Sequence, residues 1–293
     1  MLKGEMTMKL IKLAGLALLA AVTLAGRPGN ASTLDAWYVG VDGLATLTSG
    51  TYAGQANPNY GRLTFLYAHY NFVNPNSNHF HGIGTWVYSG PASNPVINST
   101  NANNRIPELY QRAYPTGQEY LPLLAGSGAW AGKFRSGLDD GEYSNLRNKA
   151  VTSLASSTDP NEQIMWNRTN ARWGTDLTGA SVALQLMDIT PGLNVATQAG
   201  DPIVTGIGTF ANTGQGANLD FTPVFWVDEN ATVGSLYSAT FRLLDLGTGT
   251  NYQPWRDSGT FTFDFQVVPE PGSLVALASG LFGFGALALR RKS

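Results

Sequence analysis

Thr260-Phe261-Thr262-Phe263-Asp264-Phe265-Gln266-Val267 alternates polar and apolar residues without a break. A period of two puts Phe261, Phe263, Phe265 and Val267 on one face of a strand and the polar residues on the other, the pattern of a half-buried β-strand. Tyr237, Ala239, Phe241 and Leu243 repeat it just upstream, before the turn-forming stretch Gly247-Thr-Gly-Thr-Asn251, which predicts a terminal antiparallel hairpin. Working outward, short runs rich in β-branched and aromatic residues and bounded by Gly, Pro, Asn and Asp predict strands at 36–48, 62–72, 79–89, 163–173, 180–189 and 219–227. The expectation is an all-β chain folded as an antiparallel β-sandwich with long loops. One short helix is expected within 142–156, where Leu146, Ala150 and Leu154 recur every four residues although Val151 and Thr152 also suit a strand. The Asn-rich stretch 94–104 has no period and reads as a long surface loop.

Composition agrees with short strands and tight turns. Charged residues make up 13% of the chain, about half the usual share, and there are 34 glycines. A formal charge of -2 without a basic cluster argues against nucleic acid, whose binding requires Lys and Arg to displace counterions. The absence of cysteine removes disulfides and thiolate chemistry, so the folded domain must be held by its core.

Both ends read as signals. Lys3, Lys9 and Lys12 precede the apolar run 13–24, and Gly29-Asn30-Ala31 offers small residues two apart, so residues 1–31 are expected to be a signal peptide removed by signal peptidase. At the other end Val268-Pro269-Glu270-Pro271 leads into the apolar stretch 272–289 and the basic tail Arg290-Arg291-Lys292. That stretch is long enough, at about 1.5 Å per residue, to cross a bilayer as a helix, with its basic end held in the cytoplasm. The order of motif, helix and basic stop at 268–293 resembles the PEP-CTERM sorting signal. The resemblance implies an exosortase-type enzyme as partner and only a transient stay in the inner membrane, followed by residence at the cell surface or outside the cell. Pro269, Glu270, Pro271, Arg290 and Arg291 are the residues that carry it. Residues 32–267 are then the exported β-sandwich domain.

All three histidines of the chain lie in Ala68-His-Tyr-Asn-Phe-Val-Asn-Pro-Asn-Ser-Asn-His-Phe-His-Gly82. His79 and His81 are two apart and share a strand face, and the Asn- and Pro-rich segment before them should fold the chain back toward His69. Whether His69 joins their face depends on the parity of the register. A four-residue type I turn at 74–77 separates it from them, and a three-residue bulged turn brings it in. In the second case three neutral imidazoles can ligate Zn²⁺ at about 2.0 to 2.1 Å, and copper, nickel or iron would accept the same donors. The ordinary alternative is three polar residues at strand ends. No His-Glu-x-x-His, Gly-x-Ser-x-Gly or phosphate-binding loop occurs. Asp139-Asp140-Gly141-Glu142 lacks the alternating oxygens of an EF-hand loop and reads as a turn.

The stretches Asp35-Ala-Trp-Tyr-Val-Gly-Val41, Asn59-Tyr-Gly-Arg-Leu-Thr-Phe-Leu-Tyr-Ala-His-Tyr-Asn71, Asn78-His-Phe-His-Gly-Ile-Gly84, Asn103-Asn-Arg-Ile-Pro-Glu108 and Pro223-Val-Phe-Trp-Val-Asp228 resemble an exported PEP-CTERM family associated with repression by the zinc-uptake regulator. The resemblance implies a role in zinc supply, with His69, His79 and His81 as ligands. Glu108, closing the Asn-Asn-Arg-Ile-Pro-Glu run, is the candidate fourth ligand. The functional expectation is therefore a surface protein that binds a divalent transition metal, zinc first, for storage, buffering or delivery. A structural component of the extracellular polysaccharide matrix, with some of the seven tryptophans as sugar-stacking surfaces, is the alternative. A metal hydrolase is a third reading, which needs an open ligand position and a general base.

Overall fold

The strand that opens the reading, Phe261–Val267, lies in the middle of the larger of two main sheets. The computed structural model describes residues 34–101, 103–112, 118–139, 141–169 and 172–269, most of them within a compact unit Ser32–Val267. The signal peptide expected at 1–31 and the membrane helix expected at 272–289 lie outside the described residues. The fold is mostly β, as expected.

The smaller sheet has five strands in the spatial order Asp220–Phe221, Asn148–Ala150, Trp37–Val41, Leu63–His69, His79–Gly82. The larger sheet curls into a half barrel. Its path is Asn194–Ala196, Val224–Asp228, Lys133–Arg135, Leu121–Ala125, Phe261–Val267, Leu236–Asp245, Ser181–Ile189, Phe210–Gln215, with Arg105–Ile106 beside Phe261–Val267. Aromatic rings from the two sheets fill the space between them. Trp37 stacks on Phe65 at 5.2 Å, Phe65 on Phe261 at 4.3 Å, and Phe225 packs against Phe265 at 4.6 Å. Pairs of this kind add about 0.5 to 1.5 kcal/mol beyond the burial of their area.

Pairing is mixed rather than wholly antiparallel. Trp37–Val41 runs parallel to Asn148–Ala150, and Phe261–Val267 runs parallel to both Arg105–Ile106 and Leu121–Ala125. Those strands are joined by long connections, which free the chain from hairpin order. The expected antiparallel pairing of Leu236–Asp245 with Phe261–Val267 is present, but a fifteen-residue excursion, 246–260, replaces the tight turn. Asp245 organises it by accepting from the backbone of Ser181, Gly247 and Trp255 and from the Tyr252 hydroxyl.

Four further expectations are corrected. Residues 163–173 are not a strand: Pro160–Arg168 is a helix, started by Asp159, whose carboxylate accepts from Asn161 N at 2.8 Å and Glu162 N at 3.2 Å. That helix and the 3₁₀ segment Val151–Ser156 cover the outer face of the smaller sheet through Met165, Leu154 and Val151 against Tyr38, Leu66 and Ala68. The strand at 79–89 stops at Gly82, and Val87–Ser89 belongs to a separate two-stranded sheet; between them Gly84 passes so close to the larger sheet that a Cβ there would meet Phe261 Cδ1 at 2.8 Å. The Asn-rich stretch 94–104 is not only loop, since Val96–Asn98 pairs with Val87–Ser89.

The fourth correction bears on the site. The Phe261–Val267 strand is buried on both faces, with Asp264 only 3% exposed. A carboxylate there must be paired. Arg105 Nε donates to Asp264 Oδ2 at 2.6 Å with a second bond to Oδ1, and Arg112 donates to Oδ2 at 2.5 Å. These two arginines bind the segment 103–112 across the polar face of the strand. Replacing Asp264 with alanine leaves two guanidinium groups facing each other without a counter-charge, which should cost about 3 kcal/mol or more in urea denaturation. Gln266→Ala, on the same strand face, should stay within about 0.5 kcal/mol of the parent.

Candidate metal centre

His69 ends its strand opposite His79, and His81 stands opposite Tyr67. Residues directly across from one another share a face, so all three imidazoles project to the same side as Leu63, Phe65 and Tyr67, the side that faces the larger sheet. The cluster thus sits where that apolar face runs out, on the edge strand His79–Gly82 and its neighbour.

The register comes from asparagines in the connection between the strands. Asn71 Oδ1 accepts from the backbone of Val73 at 3.1 Å and Asn74 at 2.8 Å, and a single 3₁₀ turn follows over Pro75–Ser77. Asn78, 1% exposed, then accepts from Asn71 N through its side chain at 2.6 Å, closing the connection just before His79. Arg168 on the Pro160–Arg168 helix ties the Asn76 carbonyl down at 2.6 Å. The loop is wider than either tight turn considered from sequence, and its register is the even one.

One ligating atom from each of His69, His79 and His81 lies within 4.8 Å of those of the other two. His79 Nδ1 lies 2.7 Å from the carbonyl of Ser77, which can only accept, so that nitrogen carries the hydrogen. His81 Nδ1 lies 2.8 and 2.7 Å from the two oxygens of Glu108 and carries its hydrogen in the same way. Both rings therefore turn an Nε2 lone pair inward, and the two Nε2 atoms are 2.6 Å apart. Two lone pairs that close repel unless a positive charge lies between or beside them. His69 is partly buried, with its side chain 31% exposed. Burial lowers its pKa, the charge of Glu142 pulls the other way, and His81 and His79 add to the lowering, so its neutral, ligating form is favoured.

Glu108 is neither on the surface nor among the inward-facing donors. It is fully buried and bonded to His81, to Asn103 Nδ2 and to the Tyr143 hydroxyl at 3.3 Å. Its place is behind His81, the position from which carboxylates fix the tautomer and orientation of histidines in metal sites. The segment pinned to Asp264 by Arg105 and Arg112 is the one that delivers it. Burial, and then the charges of Glu108 and Glu142, hold the Tyr143 phenol far above its ordinary pKa, so it remains a donor.

Two contributors are absent from the sequence reading. Tyr67, 2% exposed, donates to Glu142 Oε1 at 2.8 Å, and Glu142 Oε1 lies 3.7 Å from His69 Nε2. Period two marks Tyr67, because it stands two residues before His69 and must share its face. Nothing local marks Glu142. It sits in the expected turn, where Asp139 accepts from Gly141 N at 3.1 Å and from the Ser144 hydroxyl at 2.5 Å, and it reaches the histidines only through the fold.

Residues 267–292 match the PEP-CTERM protein-sorting motif. That motif marks an exported protein, directed to the cell surface and processed by an exosortase-type sorting enzyme. Among the motif's expected residues Pro269 is described, while Glu270, Pro271, Arg290 and Arg291 lie outside the described residues. No curated protein and no solved structure matches the chain. The tautomers can be checked directly: long-range ¹H–¹⁵N NMR of the metal-free protein should show the hydrogen of neutral His79 and His81 on Nδ1, and Glu108→Ala should release His81 to a tautomer mixture while leaving His79 unchanged.

Proposed function

We propose that this exported protein binds a divalent transition metal, zinc foremost, at His69, His79 and His81 and holds it at the cell surface for storage, buffering or delivery. The observation that carries the reading is that one ligating atom from each of the three histidines lies within 4.8 Å of the other two, with the Nδ1 atoms of His79 and His81 already committed to acceptors. A cation held at about 2.0 to 2.1 Å from each requires the Nε2 atoms of His79 and His81, 2.6 Å apart, to open to about 3.3 Å, and then replaces their repulsion with two bonds. Glu108 supplies a negative charge behind His81 that raises the basicity of the ligating nitrogen. Three imidazoles without thiolates suit zinc, copper or nickel. The likeness to a family associated with the zinc-uptake regulator favours zinc among them.

A role in the polysaccharide matrix through sugar stacking gains no support from the tryptophans. Trp37 and Trp130 are buried and the other five are half-buried. Cationic side chains lie over several of the rings, with Arg62 at 4.1 Å from Trp86, Lys133 at 4.0 Å from Trp226 and Arg172 at 4.6 Å from Trp173.

Calorimetric titration of Zn²⁺ into the detergent-solubilised full chain at pH 7.5 should show one site. Each of His69→Ala, His79→Ala and His81→Ala removes a direct ligand and should weaken binding more than about 100-fold, beyond the 10- to 100-fold typical of outer-shell changes such as Glu108→Gln. Protons compete for the same lone pairs, so affinity should fall in acid, and for His69, whose pKa burial lowers, the loss should come below the ordinary imidazole range. Absence of a site, or equal affinity in the three variants and the parent, contradicts the reading.

A further inference from the structure

Glu142 occupies an unusual place for a surface acid. Its side chain is 43% exposed, so it can turn, yet one of its oxygens is held by the buried hydroxyl of Tyr67 at 2.8 Å. The same oxygen is 3.7 Å from Nε2 of His69. Two donors on a tetrahedral zinc, each at 2.0 to 2.1 Å, are separated by about 3.3 Å. Rotation of the exposed carboxylate has to close that difference and also carry its oxygen toward His79 and His81, because among the described residues only the three histidines have ligating atoms within 4.8 Å of one another. Tyr67 is itself fixed between the rings of the site: it stacks on Tyr143 at 4.7 Å and stands 6.2 Å from His69 and 6.0 Å from His81.

The geometry points to Glu142 as the fourth metal ligand, with Tyr67 as its positioning residue, closing the three-histidine site with a protein carboxylate instead of water. This inference rests on the metal reading above and sharpens it. Four protein donors leave no position for a metal-bound water, and a hydrolytic zinc site needs one. The bound metal is then cargo to be held and passed on rather than a Lewis acid. The carboxylate also makes release simple in mechanical terms: it is an exposed side chain on the turn 141–144, whereas the histidines come from paired strands. Turning one side chain outward exposes the ion to an incoming acceptor ligand without disturbing the sheet.

Cobalt(II) reports this directly, because four-coordinate cobalt absorbs visible light strongly and an open position takes up azide. The test uses the full chain loaded with Co²⁺ alone, titrated with sodium azide, together with Zn²⁺ titrations of Glu142→Ala, Glu142→Gln and Tyr67→Phe. The parent should show intense four-coordinate bands that azide does not move. Glu142→Ala and Glu142→Gln should show azide-dependent spectra and bind zinc about 100-fold more weakly, while Tyr67→Phe should lose roughly 10-fold, as an orienting partner does. Circular dichroism should be unchanged in the Glu142 variants, since that side chain is 43% exposed. If azide shifts the parent spectrum, or if both Glu142 variants keep parental zinc affinity, the carboxylate is not a ligand and the three-histidine reading stands alone. If the parent binds neither cobalt nor zinc, both fall together.

Discussion

The carboxylate of Asp264 sits inside the central strand of the larger sheet and cannot remain there unpaired. Its pairing with Arg105 and Arg112 is the constraint on which the rest of the site depends. The two arginines bracket the segment that contains Glu108, and fastening both of them to one buried acid fixes that segment across the strand. Glu108 is thereby pressed into the protein, where it bonds His81 and selects the nitrogen the ring turns inward. An electrostatic contact in the core and the orientation of a candidate ligand are thus consecutive steps along one short stretch of chain.

A second constraint acts from the other side. The connection between His69 and His79 could have closed as a tight turn of either parity. Asn71 and Asn78 instead satisfy its backbone with their own amides, and the Pro160–Arg168 helix clamps it through Arg168 and Asn161. The resulting even register places three imidazoles on one face. A slip of one residue would send His79 and His81 to the opposite face, so the buried amide of Asn78 has an importance out of proportion to its size.

Much of this was legible in the residues alone. Alternation in Thr260–Val267 and Leu236–Leu244 identified two core strands and their pairing, because period two survives any tertiary context. The histidine cluster was visible as a local concentration, and the sorting motif as an ordered string at the terminus. What failed did so for identifiable reasons. The aromatic content of 163–173 suggested a strand, while the Asp159-Pro160-Asn161-Glu162 start signal, which outweighs it, is confined to four residues. Asp264 appeared solvent-facing because alternation reports only one covered face, and no local pattern announces that a distant segment will cover the other. Glu108 stands out in sequence as a carboxylate that closes a polar run, but its burial and its bond to His81 come from the fold. Glu142 comes from a turn far away in sequence, and only the folded register brings it near His69.

The proposed centre is three imidazoles held on one face by an exported β-framework, backed by the buried Glu108 and approached by the exposed Glu142. X-ray absorption at the zinc K-edge, measured on the zinc-loaded full chain at neutral pH, tests that claim most directly. The predicted result is a four-coordinate shell at about 2.0 to 2.1 Å with the multiple-scattering signature of three imidazole rings and one oxygen donor. A six-coordinate shell of oxygens, or scattering from fewer than three imidazoles, would contradict it.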